Sequence, residues 1–501
     1  MAESNARVTA RLAVRNTIWL SLLSYAGQFV SFGATIILAR KLGPEPFGLI
    51  TIAAFWSVLL GLRAKSGLSN AAIRQPRLDG ELLGTAYRLD LILAAASMIL
   101  SIAVALILPR LGYPPQVTWI VTVYVVLDNV TAVIGPLGLA LEKELQLSRL
   151  NVIYVASTIA AYAAAIGLAY AGAGVWSLLS SNLFTTCAAV AGIYLLARRR
   201  LPWVFQMEWR FDKELARHLL RQGLPMGLAN AAAASITGQW DNFLIGTYGG
   251  AKELGFYDRA YRYAQWPNTL LTGALQRVGY VTFARLQDDV PRLAHSVRLY
   301  MWVVTSLGTP MALALIFGAR DVIHILLDTA WSRSADFLSI LAAFSIISPF
   351  INLSVSAAYA MGKVRQAVVI TLAQAVVMLA VATPLTLRWG VSGALAGLGV
   401  AILLGFGLSA HYIFTHLPLS ARETFGKPLI AAAVACAATW LASQTPGWHE
   451  LSAAPRLIAI TLASAGTYLL CVFALNPSEV IERVRYVARA FRPPPAQEPA
   501  A

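Results

Sequence analysis

Apolar residues occur in about fourteen long runs along the 501-residue chain, with short polar stretches between them. A helix needs about 20 apolar residues to cross roughly 30 Å of hydrocarbon, and each run supplies close to that number. The pattern predicts an all-α polytopic membrane protein with about 14 transmembrane helices. The predicted spans are 16–39, 47–68, 86–108, 117–140, 150–171, 174–197, 223–246, 257–285, 296–318, 336–361, 366–387, 391–416, 428–445 and 455–475.

The sequence pattern of the turn between the first two spans is repeated between the seventh and eighth spans. "ARKLGPEPFGL" (39–49) and "GTYGGAKELGFYDRAY" (246–261) both carry two glycines five residues apart, followed by an apolar residue. The glycines are Gly43 and Gly48 in the first stretch, and Gly250 and Gly255 in the second. A turn repeated at a fixed separation indicates that the chain contains two copies of one unit.

Two further pairs of matching positions support the repeat. We pair Gly174, between spans 5 and 6, with Gly393, between spans 11 and 12, and Lys143 with Lys363. The separation of paired positions grows along the chain, and we assign the extra residues to a loop at 319–335. Spans 1–6 and 7–12 are therefore predicted to be two parallel six-helix repeats, with spans 13 and 14 as an appendage.

Charge changes this picture only by adding an orientation. Charged residues make up 13% of the chain, about half the share in soluble proteins. Of the 39 Lys and Arg residues, 28 fall at one set of span ends, ten at the other, and Arg277 within a span. Because positive residues favour the cytoplasmic side, we predict that both termini are cytoplasmic. The net charge of +15 then reflects topology and not nucleic-acid binding.

Three segments outside the spans have an apolar and a basic face. They are 4–15, 208–222 and 478–491, the last with Ser478 as its predicted helix cap. Helices of this kind lie in the membrane interface. The resulting organisation is an amphipathic segment 1–15, an N-lobe 16–197, an amphipathic cytoplasmic linker 198–222, a C-lobe 223–416, appended spans within 417–475, and an amphipathic helix with a Pro-rich tail 476–501.

The stretch "QWDNFLIGTYGGAKELGFYDRAYRYAQWP" (239–267) resembles polysaccharide flippases of the multidrug/oligosaccharidyl-lipid/polysaccharide exporter superfamily. "ARKLGPEPFGLITIA" is similar to their first loop, and "ILLDTAWSRSADFLSILA" (325–342) to their ninth-to-tenth connection. The resemblance implies a V-shaped transporter that carries undecaprenyl-pyrophosphate-linked oligosaccharides across the bacterial inner membrane, for O-antigen or exopolysaccharide synthesis. It implies no cofactor, and a polysaccharide polymerase and a chain-length regulator as candidate partners.

Arg277 is the clearest charged residue inside a predicted span. A charge at mid-bilayer costs about 2.5–3.5 kcal/mol on insertion scales, so each one suggests a function. Arg259 lies five helical turns earlier on the same face, which would form a polar stripe. The planar guanidinium donates two hydrogen bonds at once and suits a pyrophosphate. The alternative is a structural arginine paired with a carboxylate on a neighbouring helix.

The other candidate residues carry weaker signals. Asp128, near the middle of span 4, is either an ion-coupling site or the partner of an arginine. Asp241 matches an Asp usual at this place in the flippases, with a structural role in the turn as the alternative. The remaining substrate-binding candidates are Arg262 and Arg259 at the predicted outer mouth, and Arg63 and Arg88, which would otherwise serve as positive-inside anchors.

Several functions lack the residues they need. The sequence has no Gly-rich phosphate loop followed by Lys and Ser or Thr, no Gly-x-Ser-x-Gly nucleophile motif and no metal-ligand spacing. A membrane-embedded glycan polymerase or ligase would need a substantial outer loop, and the longest predicted one has about 17 residues, 319–335. A lipid-II flippase and a multidrug exporter of the same superfamily stay open as alternatives.

Overall fold

The computed structural model describes residues 23, 25–61, 67–73, 75, 79–144, 147–269, 279, 282–446 and 448–490. Within these ranges the chain forms helices and turns and contains no strand, which confirms the all-α prediction. Ten helices are long and apolar enough to cross a membrane, and they coincide with predicted spans 3–6 and 9–14. The region of span 2 is a shorter apolar helix, Pro44–Leu60.

The described chain separates into two bodies. The first body comprises the described residues up to Asp258 together with Met378–Leu395. Its helices are α1 (25–42), α2 (Pro44–Leu60), α3 (Leu68–Ile73), α4 (Gly80–Ile107), α5 (Pro115–Val130), α6 (Gly135–Lys143), α7 (Leu147–Tyr170), α8 (Val175–Arg200), α9 (Lys213–Tyr248) and the first part of α10 (Gly250–Ala264). Short 3₁₀ helices lie at Leu108–Leu111, Thr131–Ile134 and Pro202–Gln206.

The second body comprises Arg259–Val377 and the described residues from Ala396 onward. The longer described helices after α10 are α11 (Val290–Leu326), α12 (Ser332–Ala360), α13 (Val364–Val377), α14 (Thr383–Trp389), α15 (Val391–His416), α16 (Ala421–Ser443), α17 (Ala453–Thr461), α18 (Thr467–Leu475) and α19 (Pro477–Ala490). Of these, α14 and the first residues of α15 belong to the first body. Described helical residues also lie at 266–269, 279 and 282–285. One turn of π-helix, Met378–Ala382, joins α13 to α14 in the first body, and a second, Leu462–Gly466, joins α17 to α18.

Each body has its own apolar core. In the first, Leu83, Leu141, Ile193 and Leu219 bring together α4, α6, α8 and α9 and are almost completely buried. In the second, the rings of Phe350, Phe406, Phe414 and Phe425 pack against one another with centroids 5.1–6.5 Å apart. Large apolar side chains elsewhere on the spans are exposed, as expected for helices that face lipid.

The repeated turns of the sequence meet each other inside the first body. A Cβ added to Gly48 would lie 1.7 Å from the carbonyl oxygen of Ala251, and one added to Gly255 would lie 1.9 Å from that of Pro44. Residues 44 and 251, and residues 48 and 255, are equivalent positions of the two copies. Because each copy gives the other the same contact, the two turns are related by a local two-fold, as in an isologous interface.

The glycine that starts each turn has the same backbone conformation. Gly43 has φ of 74° and Gly250 has φ of 82°, values that residues with a Cβ rarely adopt. This agreement supports the alignment of Gly43 with Gly250.

The predicted alignment of Gly174 with Gly393 is wrong by three residues. Gly174, with φ of 56° and ψ of −130°, has the same conformation as Gly390, with φ of 59° and ψ of −138°. Both Gly174 and Gly390 stand immediately before a helix, α8 and α15.

The extra residues of the second copy lie mostly in a helix and not in a loop. Asp79 and Asp289 cap α4 and α11 in the same way, each accepting a hydrogen bond from the backbone N–H three residues later. Gly112 and Asp328, both with φ of 90°, follow the far ends of these helices. Asp79 and Asp289 are 210 residues apart and Gly112 and Asp328 are 216 apart, so the segment from the capping Asp to the turn is six residues longer in the second copy. The loop predicted at 319–335 is therefore wrong, because α11 continues to Leu326 and α12 begins at Ser332.

Two of the three amphipathic segments lie within the described residues. In the linker, α8 ends at Arg200 and α9 runs without a break from Lys213 through the predicted seventh span, so residues 213–222 are not a separate helix. The C-terminal segment is a helix, α19, as predicted. Its cap is Asn476 instead of Ser478, because the Asn476 carbonyl accepts from the backbone N–H of Val480. The segment 4–15 lies outside the described residues.

Candidate substrate-transport site

Two of the predicted substrate-binding residues, Arg277 and Arg63, lie outside the described residues. Arg259 and Arg262 lie on α10, three residues apart and therefore on neighbouring sides of one helix. Arg259 is only 6% exposed, whereas Arg262 is exposed. In this conformation, an anionic group in solvent or lipid can reach Arg262 directly, and Arg259 only after a local rearrangement.

Asp241 lies buried where α9 meets α10. Its carboxylate accepts a hydrogen bond from the hydroxyl of Tyr257 and another, of 2.9 Å, from the backbone N–H of Asn242. Burial of a carboxylate is costly unless its oxygens are hydrogen-bonded, and here both oxygens have a donor. The arrangement joins the end of one span to the helix that follows the repeated turn.

Arg88 and Asp128 are both exposed residues of the first body. The Arg88 guanidinium lies over the ring of Phe211, 5.6 Å from its centroid, which places it beside the linker before α9. Asp128 lies near the end of α5, where its backbone carbonyl accepts a hydrogen bond of 2.8 Å from the Thr131 hydroxyl. Among the described residues, no hydrogen bond or ion pair joins Arg88 to Asp128 or to Asp241.

An aromatic cluster next to Asp241 was missed by the sequence analysis. Phe243 stacks on Phe55 with centroids 5.0 Å apart, and Trp56 meets Phe243 edge-on at 6.0 Å. Trp240 lies 4.8 Å from Phe243 and donates from its indole nitrogen to the hydroxyl of Thr383, 3.1 Å away. The cluster ties α2, α9 and α14 together. The sequence feature that could have indicated the cluster is a pair of aromatic residues at 55 and 56 in the second span and another pair at 240 and 243 in the seventh span.

A second polar feature that the sequence analysis missed is an ion pair in the second body. Arg456, on α17, donates from its Nε to both carboxylate oxygens of Asp321, each 3.0 Å away, and a further nitrogen also contacts this carboxylate. Asp321 is 3% exposed. The pair borders a cavity of about 630 Å³ whose lining includes Arg320, His324 and Asp336. It fastens the first helix of the last span to the long helix α11.

Comparison with known proteins identifies the chain at the level of its family. Residues 37–336, more than half of the chain, match the family described as polysaccharide biosynthesis protein. The chain belongs to this family. The match contains the repeated turn, the Asp241–Tyr257 contact and the aromatic cluster except Thr383, and it ends in the first turns of α12. Helices α16–α19 follow the matched region.

Relatives of this polysaccharide biosynthesis protein have related names. It is 26% identical to the succinoglycan biosynthesis transport protein ExoT of Rhizobium meliloti (strain 1021), over 97% of each chain. It is 22% identical to the lipopolysaccharide biosynthesis protein WzxC of Escherichia coli (strain K12), over 62% of each chain. Among solved structures, it is similar to the lipid II flippase MurJ in an inward closed conformation, with a TM-score of 0.74 over 92% of this chain and 100% of MurJ, at 13% identity.

These comparisons confirm the fold class and the broad function that the sequence predicted. The chain has the fold of MurJ, and its family and its ten membrane-span candidates make it a multi-pass membrane protein of polysaccharide biosynthesis. At 13% identity the likeness to MurJ is a likeness of fold alone. The roles of the individual arginines and aspartates stay predictions.

Proposed function

We propose that the protein moves undecaprenyl-pyrophosphate-linked oligosaccharides from the inner to the outer leaflet of the bacterial inner membrane, for O-antigen or exopolysaccharide synthesis. Its termini lie in the cytoplasm, as the distribution of Lys and Arg suggests. The relatives ExoT and WzxC, named for succinoglycan transport and for lipopolysaccharide biosynthesis, support a glycan as the transported cargo. A polysaccharide polymerase and a chain-length regulator are the proposed partners.

The observation that carries the mechanism is the reciprocal contact of the repeated turns. Gly48 lies against Ala251 as Gly255 lies against Pro44, so the two copies share a local two-fold at these turns. Parallel repeats around an axis normal to the membrane are a transporter architecture, in which one half rocks against the other around a central substrate site. This geometry supports alternating access, with the turns close to the pivot because their backbones are in direct contact.

The proposed substrate site is cationic and binds an anionic group. Arg277 holds the diphosphate, and Arg259 and Arg262 receive it toward the outer side, while Arg63 and Arg88 guide it from the inner side. Each arginine keeps its charge when desolvated and binds two phosphate oxygens at once. Buried Arg259 becomes accessible when α10 moves during the transport cycle.

The membrane potential favours the proposed direction. An inside-negative potential drives an anion outward by about 2.3 kcal/mol per charge per 100 mV, so a diphosphate with two charges gains on the order of 4–5 kcal/mol. This gain supports export without an obligatory coupling ion. Under this mechanism Asp128 and Asp241 have structural roles, and ion coupling through either residue is the alternative.

Substitution of Arg277 tests the proposal. In a host that lacks the gene, lipid-linked repeating units should accumulate, and the parent protein should restore their export. Arg277→Ala should abolish most of this rescue at normal membrane levels, and Arg277→Lys, which keeps the charge but loses the planar fork, should keep part of it. Full export by the alanine variant would show that Arg277 is a packing residue.

The same assay separates the alternative cargoes. Purified protein in liposomes should translocate a polyprenyl-diphosphate oligosaccharide with several different sugars. Lipid II as the only translocated substrate would assign the protein to peptidoglycan synthesis instead. Export of a cationic dye that is insensitive to Arg277→Ala would assign it to multidrug transport and would contradict an anionic site.

A further inference from the structure

A small basic pocket lies where α19 packs onto other helices of the second body. It is bordered by the first half of α11, the first two turns of α16, the end of α18 and the first two turns of α19. We call it the α19 pocket and define it by Arg298, Trp302, Lys427, Glu479 and Arg483. All of these elements meet at the end of the last predicted span, where the chain leaves the membrane-spanning region and enters the amphipathic helix.

Positive charge exceeds negative charge in the α19 pocket. Three cations line it, and Glu479 is the one carboxylate among its lining residues. Glu479 is already shared, because it accepts a hydrogen bond from Arg483 and lies 3.5 Å from the ammonium of Lys427. Arg298 forms no ion pair within the described part of the chain. The pocket therefore carries a surplus of two positive charges.

The Arg483 guanidinium is held in place on the inner side of the pocket. Its side chain is 17% exposed and lies over the ring of Trp302, 5.5 Å from the centroid. Burial lowers the pKa of Arg483, an effect that Glu479 opposes and the charge of Arg298 reinforces. A mostly buried guanidinium next to another cation is unfavourable with only one shared carboxylate, so the arrangement favours the binding of a further anion.

The size of the pocket limits what that anion is. Its volume is about 50 Å³. A single water needs roughly 10–15 Å³ of such space, so there is room for a few water-sized groups, enough for one phosphate but not for a sugar ring. Lys427, in the second turn of α16, supplies one of the positive charges that face this space.

We propose that the α19 pocket binds the phosphate of an anionic membrane phospholipid and so fastens α19 to the ends of α11, α16 and α18. The position favours a lipid over a soluble anion. Phe473 and Leu475, next to the pocket on α18, expose 46% and 39% of their surfaces and are suited to contact acyl chains. Basic pockets between membrane helices commonly bind lipid headgroups. This site is separate from the transport site proposed above.

Photo-crosslinking of lipid to the full-length protein tests the proposal. The purified protein is placed in phosphatidylcholine nanodiscs that contain a small fraction of photoactivatable phosphatidylglycerol, and crosslinked peptides are mapped. Peptides around Arg298 and Arg483 should be labelled. The double variant Arg298→Gln/Arg483→Gln should reduce this labelling about tenfold, because charge-assisted hydrogen bonds to the phosphate are lost. Lysine at both positions should retain part of it.

Matched controls separate the pocket from general surface charge. The control variant Arg292→Gln/Arg485→Gln removes two exposed arginines from the same helices, α11 and α19, and should leave labelling within about twofold of the parent. An equal loss in this control would overturn the proposal, as would retention of labelling by the glutamine double variant.

The source of the phosphate is tested in the same nanodiscs. Millimolar inorganic phosphate should not displace the lipid, since a soluble anion lacks acyl chains, and displacement by it would overturn the assignment to a lipid. A polyprenyl diphosphate should not compete either. Competition by this compound would make the pocket part of the transport path and would also contradict the proposal, whereas failure of the Arg277 tests would leave it intact.

Discussion

Gly48 lies with its α-carbon against the carbonyl group of Ala251, so closely that a Cβ on Gly48 would be 1.7 Å from the carbonyl oxygen and 2.5 Å from the carbonyl carbon. The same contact recurs between Gly255 and Pro44. Both obstacles are backbone atoms at helix starts, which cannot rotate away as a side chain can. The repeated Gly-x-x-x-x-Gly spacing in the sequence therefore has a steric cause in the meeting of the two copies.

Alanine at either of these glycines should destabilise the protein. Gly48→Ala and Gly255→Ala each force α2 and α10 apart, and overpacking of this kind costs about 1–3 kcal/mol. The melting temperature in detergent should fall in both variants, and similarly because the contacts are equivalent. Gly33→Ala is the matched control, since Gly33 lies within α1 and a Cβ added there would meet nothing within 4 Å. An unchanged melting temperature in both test variants would contradict the close approach.

The hydrophobic pattern was enough to find ten of the fourteen predicted spans, since a span depends on local sequence. It failed where the copies differ in length. The stretch around Arg320 and Asp321 has the polarity of a loop, but these residues continue α11 to Leu326, because Asp321 is paired with Arg456. A local pattern cannot show that a charge will be neutralised by a residue 135 positions away.

The candidate site was predicted less completely than the fold. Deep charges such as Arg277 are conspicuous in an apolar run, whereas the ring cluster of Trp240 and Phe243 looks like ordinary span composition. The contact of Trp240 with Thr383 joins positions 143 residues apart and has no local signature. Misalignment of Gly174 with Gly393 had a similar origin, because composition alone does not reveal which of two nearby glycines has positive φ.

The Asp321–Arg456 ion pair should make a large contribution to holding α17 on α11. Removal of one partner leaves the other charge in a poorly solvated place, which costs about 3–5 kcal/mol for a fully buried pair and somewhat less here, where the Arg456 side chain is 26% exposed. Asp321→Asn should therefore lower the melting temperature more than Asp336→Asn, which changes an exposed carboxylate of the same cavity. The charge-swapped double variant Asp321→Arg/Arg456→Asp should recover part of the loss. Equal melting temperatures for the two asparagine variants would contradict a structural ion pair.

The predicted orientation can be measured by cysteine labelling. In a background without Cys187, Cys436 and Cys471, a cysteine at Ala330 should react with an impermeant maleimide added to intact cells. Ala330 follows the C-terminal end of α11, and the predicted orientation places that end on the outer side of the membrane. A cysteine at Arg210 should react only after permeabilisation. Both native residues are exposed, so access is not limited by packing. Labelling of position 210 in intact cells would reverse the orientation inferred from Lys and Arg.

The hydrogen bond between Tyr257 and Asp241 allows a structural role of this carboxylate to be separated from ion coupling. Tyr257→Phe removes one donor and leaves a carboxylate oxygen buried without it, which costs about 1–3 kcal/mol. If Asp241 is structural, both Tyr257→Phe and Asp241→Asn should lower the melting temperature, and export should fall only in proportion to the amount of folded protein. Asn242→Ala is a suitable control, because it retains the backbone N–H that donates to Asp241.

If Asp241 couples transport to an ion, Asp241→Asn should instead stop export while its melting temperature stays within a degree or two of the parent. The second outcome would assign Asp241 a role in transport and not only in structure.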